Sequence, residues 1–270
     1  MTASARIPNV LTIAGSDPSG GAGIQADLKT FSALGTYGTS VITALTAQST
    51  RGVTGVHPVP ADFIAAQLDT LLDDVRIDAV KIGMVASREV ALTIRDALSR
   101  RRPRWVVLDP VMVAKSGDIL VDDAGIHAVR DILVPLADLI TPNLPEAAVL
   151  LGAPAAYDPE AMQRLLPALR ELGAANVLLK GGHLSGERCP DLLAIADGDC
   201  WLEAERVATD NLHGTGCTLS SAITANLAHG DTLIAAAQRA KVWLGQALHE
   251  SARLSVGKGG GPVHHFHAWW

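Results

Sequence analysis

Short apolar runs alternate with helical patterns for most of this chain, and that alternation leaves few folds open. Strand-like segments read at residues 10–14, 39–47, 79–82, 105–108, 138–140 and 176–180, with helical patterns near 23–34, 62–72, 89–99, 124–133, 146–151 and 160–172. A strand followed by a helix and then another strand implies βαβ units and a mainly parallel sheet. Asp158-Pro159 marks a helix start, an N-cap residue followed by proline at the first helical position, and Gly173 ends that helix. After Lys180 the pattern changes. Residues 191–196 and 200–202, joined through Asp197-Gly198, read as an antiparallel hairpin with a primed turn. Two further helices follow, at 217–228 and 232–249. With 270 residues, 48% of them hydrophobic, and no repeat or low-complexity linker, the chain is expected to form one domain spanning 1–270.

Bulk properties exclude several functions. The net charge of -6 argues against a nucleic-acid surface, and the longest basic run, Arg100-Arg-Arg102, reads as solvated charge at a helix end. Aromatic residues make up 4%, too few for a base-stacking surface. No apolar window approaches a membrane span, and the first eight residues lack a signal-peptide core, so a cytoplasmic location is expected. Cys189, Cys200 and Cys217 form an odd set without metal-like spacing, as reduced cytosolic thiols would. In the tail, His264, His265 and His267 invite a metal reading. Adjacent His264 and His265 would point in different directions, so a docked aromatic tail is the favoured reading.

Two glycine-rich loops carry the chemistry. His213-Gly-Thr-Gly-Cys-Thr-Leu-Ser220 opens directly into a helix. A helix start offers unpaired N–H groups and a partial positive charge, and Gly214 and Gly216 let an oxygen-rich anion approach them. Thr215, Thr218 and Ser220 add hydroxyl donors, and Cys217 sets a thiol at the centre. The second loop, Gly15-Ser-Asp-Pro-Ser-Gly-Gly-Ala-Gly23, lies between the first strand and the first helix. Together the loops suggest one composite site for a phosphorylated ligand and its partner. A P-loop is absent, because Gly257-Lys258 is followed by Gly259. The dinucleotide-like Gly21-Ala-Gly23-Ile-Gln-Ala26 lacks its acidic partner: no Asp or Glu occurs between Asp27 and Asp62.

The ordered set Gly15-Ser-Asp-Pro-Ser-Gly-Gly-Ala-Gly-Ile-Gln-Ala-Asp27, Ala47-Gln48, Lys81-Ile-Gly-Met84, Val107-Leu-Asp-Pro-Val-Met112, Thr141-Pro-Asn-Leu-Pro-Glu146, Leu179-Lys-Gly-Gly-His183 and His213-Gly-Thr-Gly-Cys217 resembles the bacterial hydroxymethylpyrimidine/phosphomethylpyrimidine kinases of thiamine biosynthesis. These belong to the ribokinase-like superfamily, and the resemblance spans nearly the whole chain. It implies a three-layer α/β/α sandwich, ATP and Mg²⁺ as cofactors, and a homodimer. It also implies transfer of the γ-phosphoryl group to the hydroxymethyl oxygen of 4-amino-5-hydroxymethyl-2-methylpyrimidine, then a second transfer onto the monophosphate.

Residue roles follow from chemistry and from that resemblance. Gly214, Thr215 and Gly216 supply preorganised N–H dipoles for charge on the transferring oxygens. Cys217, where many ribokinase-like sugar kinases carry aspartate, is the candidate base; a helix N-terminus lowers a thiol's pKa, while a nearby triphosphate opposes that. Small packing residue is the alternative for Cys217. Gln48 pairs a donor with an acceptor, matching the amino and ring-nitrogen edge of an aminopyrimidine. Gly15 and Asp27 are assigned to the same pocket by resemblance, against a plain surface position for Asp27. Met84 would cover the ring, or fill core. Asn143 and Glu146 match the superfamily's Asn-x-x-Glu pattern, with Glu146 acting on Mg²⁺ through water and Asp109 joining the metal region. Glu146 could instead complement a helix dipole. Lys180 would reach the ATP phosphates, or simply sit exposed at a strand end. His213 is given no catalytic role beyond supporting the turn. Rival readings are a vitamin B6 kinase and a silent vitamin-binding module on the same fold.

Overall fold

A computed structural model describes residues 6–112, 121–154 and 157–270. Eight strands form the main sheet: β1 (Asn9–Ala14), β2 (Tyr37–Ile42), β5 (Ala79–Ile82), β6 (Trp105–Leu108), β7 (Leu139–Ile140), β8 (Val177–Leu179), β9 (Asp191–Ile195) and β10 (Gly198–Leu202). Their order is β10-β9-β8-β7-β6-β5-β1-β2. Pairing is parallel from β8 through β2, while β9 and β10 add an antiparallel edge. A second sheet of two strands, β3 (Ala44–Ser49) and β4 (Gly52–Pro58), stands apart.

Strand alternation sorts the side chains into three layers. Val106 and Leu108 pack with Ile94, Leu133, Ala147 and Leu166, so α2 (Ala61–Asp74), α3 (Arg88–Arg100), α4 (Asp123–Ala128), α5 (Leu144–Leu151) and α6 (Pro159–Glu171) cover one face. Val107 between them points the other way, to Leu219, Ile223 and Ala237 of α7 (Thr215–Ala228) and α8 (Leu233–His249). Phe31 of α1 (Gly23–Ala33) wedges between Val10 and Ala225 on that second face. The result is the three-layer α/β/α sandwich of the ribokinase-like class. Each fully buried leucine of this kind contributes roughly 2 kcal/mol. Among the described residues, no helix is long and apolar enough to cross a membrane.

Local signals behave as their chemistry requires. Asp158 caps α6 by accepting from Ala161 N at 2.7 Å. Two expectations need correction. The predicted strand 39–47 is two strands in two sheets: the chain turns out at Thr43, whose N–H donates to Ala14 O and whose hydroxyl donates to Met84 O. Its continuation β4 escaped notice because two glycines, a histidine and a proline break the apolar pattern. The β9–β10 turn is not primed. Gly198 pairs with Ile195, and Ala196 and Asp197 both keep negative φ. Arg100–Arg102 are solvent-exposed as expected, and pair at the surface with Asp69, Asp73 and Asp138.

The strand order reverses between β1 and β5, which opens a crevice at the carboxyl ends of the parallel strands. Gly15, Gly83, Asp109, Asn143 and Lys180 all lie at or just beyond those ends.

Candidate active site

The crevice is a cavity of about 510 Å³. Segments two hundred positions apart meet in it, because the backbones touch closely: a Cβ on Gly214 would fall 1.8 Å from Gly21 O. Gly214 takes φ +76 as the N-cap of α7, and no side chain caps that helix. Gly214, Thr215, Gly216 and Cys217 therefore present the start of α7 to the cavity. An uncapped helix start facing open space is an anion site.

The first glycine loop is folded around Asp17. Its carboxylate accepts from Ser19 N and Oγ, Gly21 N, Ala22 N and His213 Nε2, the last at 2.8 Å. Burial raises the Asp17 pKa, but the bonds from His213, Ser19 and Ala22 outweigh it and hold it at about 2. A carboxylate only accepts, so His213 carries its proton on Nε2 and clips the two loops together. His213 thus supports more than its own turn.

At the other end, β3 alternates its residues between cavity and solvent, which aims Thr46 and Gln48 inward while Leu45 faces out. Thr46 Oγ1 donates to Ser16 O at 2.8 Å and lies 3.2 Å from Gln48 Oε1. Met84 lines the same region, its methyl resting where a Cβ on Gly15 would be, 2.7 Å away. Gly15, Gln48 and Met84 are brought together as expected. Asp27 is not with them: it lies fully buried beneath the cavity and does not line it. Neither the pocket nor the surface position fits it, because it accepts from Thr12 Oγ1, Ser221 Oγ and Lys81 Nζ. Lys81 is the charged residue that sequence reasoning left without a role. A lysine inside a four-residue apolar strand, followed by Gly83, was the available signal.

Between the two ends sits a carboxylate–lysine cluster. Lys180 Nζ lies 2.8 Å from Asp109 Oδ1 and 3.7 Å from Glu146 Oε2, so Lys180 is a buried ion-pair partner and not an exposed strand end. Thr141 Oγ1 donates to Asp109 at 3.0 Å. Asn143 and Glu146 form a reciprocal capping box at the start of α5, each bond 2.8 Å, and both line the cavity. Glu146 therefore complements the helix and faces the site at once. Burial pushes Glu146 up to about 7, Lys180 opposes this and Asp109 adds to it. Two carboxylates share one lysine, and that shortage of positive charge fits a divalent cation. Among the described residues no three His, Cys, Asp or Glu side chains converge to enclose a metal. Such a donor set suits a hard cation that keeps water ligands.

Burial pushes the Cys217 thiol up to about 11; Lys81 opposes this, Asp27 and Asp109 reinforce it, and a hydrogen bond with the Gly23 backbone opposes it weakly. The expected lowering by the helix start is thus overturned, because desolvation of the thiolate is the larger effect. Among the described residues the tail histidines join no group of metal-ligating side chains. His265 shares a hydrogen bond with Thr218 Oγ1, and the rings of His264, Phe266 and Trp270 pack on each other.

An anion-binding helix start facing a polar pocket across an Asp–Lys–Glu cluster, on this sheet, defines a ribokinase-like small-molecule kinase. The family model for phosphomethylpyrimidine kinase matches residues 17–264. The hydroxymethylpyrimidine/phosphomethylpyrimidine kinase of Escherichia coli (strain K12) is 53% identical over 262 residues, covering 97% of this chain and 98% of its own. That of Rhizobium meliloti is 54% identical over 260 residues, covering 96% and 97%. Among solved structures, an ADP complex of Bacillus subtilis pyridoxal kinase superposes with a TM-score of 0.89 at 36% identity, covering 97% and 99%. The phosphomethylpyrimidine kinase from Clostridium difficile 630 gives 0.79 at 42%, covering 90% and 100%. The chain belongs to the phosphomethylpyrimidine kinase family.

Proposed function

We propose that the protein transfers the γ-phosphoryl group of ATP to the hydroxymethyl oxygen of 4-amino-5-hydroxymethyl-2-methylpyrimidine. A second transfer onto the monophosphate then gives the diphosphate for thiamine diphosphate biosynthesis. The observation that carries this reading is the single cavity that holds Gln48 at one side and the Gly214–Cys217 helix start at the other. The whole chain acts as one kinase domain, a cytoplasmic enzyme that works as a homodimer.

Phosphoryl transfer asks mainly for alignment and for charge stabilisation. Gln48 reads the amino and ring-nitrogen edge of the pyrimidine, and Met84 lies over the ring with Gly15 backbone behind it. The N–H groups at the start of α7 stabilise charge on the transferring oxygens. Lys180 is held by Asp109 as a fixed cation for the ATP phosphates. Asp109 and Glu146 would hold Mg²⁺, Glu146 through water, and the bound ion would neutralise phosphate charge. Asn143, whose Oδ1 is committed to Glu146 N, keeps its amide N–H₂ for the nucleotide. Cys217 takes the proton from the acceptor hydroxyl in its thiolate form, the form that burial disfavours and that Lys81 favours. Asp27 touches no substrate in this reading.

The superposition with pyridoxal kinase favours one second reading, activity on a vitamin B6 alcohol, since the ring and hydroxymethyl group are alike. The higher identity to pyrimidine kinases ranks it second. ATP consumption measured with the pyrimidine alcohol, with pyridoxal and with no acceptor separates the readings. The expected result is turnover with the pyrimidine well above both others, falling by about a hundredfold or more in Cys217→Ala if the thiol is the base. Turnover that does not depend on acceptor, or that prefers pyridoxal, rejects the assignment.

A further inference from the structure

Lys81 and Asp27 form an ion pair in which neither side chain has any exposure. Such a pair is a poor source of stability, because desolvation of two charges offsets their attraction. A methionine and an asparagine would fill the space at little cost. What distinguishes this pair is its place. Ser221, which donates to Asp27 Oδ1 at 2.7 Å, stands one helical turn beyond Cys217 on the same face of α7. Asp27 is thereby held from α1, β1 and α7 at once. Lys81 Nζ gives two hydrogen bonds to Asp27, at 2.9 and 3.0 Å. Both bonds go to the one carboxylate, and Lys81 borders the cavity that Cys217 also lines. Gly83 leaves room for the ammonium, since a Cβ there would lie 2.8 Å from Nζ.

We propose that Lys81 is a positioning residue for the phosphoryl transfer: fixed by Asp27, its charge stands beside the Cys217 sulfur and stabilises the thiolate that accepts the substrate proton. The inference rests on the reading of Cys217 as base. In the step, the acceptor O–H breaks as the S–H forms, the freed oxygen pair bonds to the γ-phosphorus, and ADP leaves. Charged groups around the sulfur are Lys81 from β5, Asp27 from α1, Asp109 after β6 and Lys180 after β8. Of these, Lys81 is the principal influence against burial.

The test is the alkylation rate of Cys217 by iodoacetamide at about pH 8.5, near the free-thiol pKa, read by mass spectrometry of its peptide. Lys81→Met is expected to slow it by about tenfold, the effect of one pKa unit, and to lower kcat similarly while both KM values stay within about threefold. The double variant Lys81→Met with Asp27→Asn, which leaves no charge stranded, guards against misfolding and is expected to alkylate more slowly than wild type but faster than the single variant, because Asp27 itself disfavours the thiolate. Wild-type alkylation of Cys217 in either folded variant overturns the proposal. Normal turnover in Cys217→Ala instead ends the base reading alone, so the two failures are distinguishable.

Discussion

Asp17 shows how one carboxylate can organise two distant loops. Its acceptor capacity is filled by backbone N–H groups of its own loop, the Ser19 hydroxyl and His213 from the far end of the chain. Because its folded pKa, about 2, lies below the ordinary value of 3.8, the ionised form is preferred in the folded state. That contribution, about 2 kcal/mol, is fully present above the unfolded pKa and fades as pH falls through the folded one. Asp17→Asn should therefore lower unfolding stability in urea by about 2 kcal/mol at pH 7, with the difference from wild type vanishing near pH 2. A constant difference at both pH values would mean that packing, not charge, sets the cost. Glu146 runs the opposite way. Its pKa is raised, so it opposes folding as pH rises from 4.5 towards 7, and a cation binding there would pull it back down.

Among the elements, the β3–β4 hairpin and the C-terminal tail depend on each other. Thr50, in the hairpin turn, accepts on Oγ1 from the N–H groups of Lys258 and Gly259 at 3.2 and 3.0 Å. Two residues later the tail reaches the other end of the site: Gly261 N donates to Asn211 Oδ1, and His213 N donates to Gly261 O, each at 3.1 Å. The tail is thus a strap between the Gln48 hairpin and the anion-binding loop. Gly259 lies so close that a Cβ would fall 2.0 Å from Thr50 O, a backbone atom that cannot swing aside. Gly259→Ala is expected to displace the hairpin, raising the acceptor KM about tenfold and leaving the ATP KM within about twofold, because small misplacements of a positioning group are costly. Equal changes in both KM values would show that the strap moves the whole site and not the hairpin alone.

For the whole molecule, the sandwich buries its apolar faces well but leaves the outer side of the hairpin open. Leu45 is 48% exposed there, with Tyr37 and Ile7, each 63% exposed, elsewhere on the surface. The proposed homodimer would use the hairpin's outer face, since a hairpin standing off the main sheet has little core of its own. Leu45→Glu, a charge on that face, should shift the mass in sedimentation equilibrium towards monomer. A monomeric wild type, or a dimer indifferent to the substitution, would place the contact elsewhere or remove it.

Much of this arrangement was written in local order along the chain. Alternating apolar runs specify a parallel sheet because only helices on both faces can cover it, and Asp158-Pro159 or the Asn143–Glu146 box act within a few residues of themselves. The glycines of the late loop likewise announce an anion site, since the missing Cβ atoms and the helix start are neighbours in sequence. Tertiary structure alone decided where charge is paired and where a strand changes sheet. Asp27 was expected in the substrate pocket by resemblance, but Thr12, Ser221 and Lys81 close around it beneath the cavity. The strand at 39–47 broke at Thr43 because partners on β1 and after β5 drew it away. Cys217 became a reluctant acid because burial, a property of the assembled interior, outweighs the helix start beside it. Backbone preference is local, whereas desolvation and ion pairing depend on groups brought close only when distant segments pack.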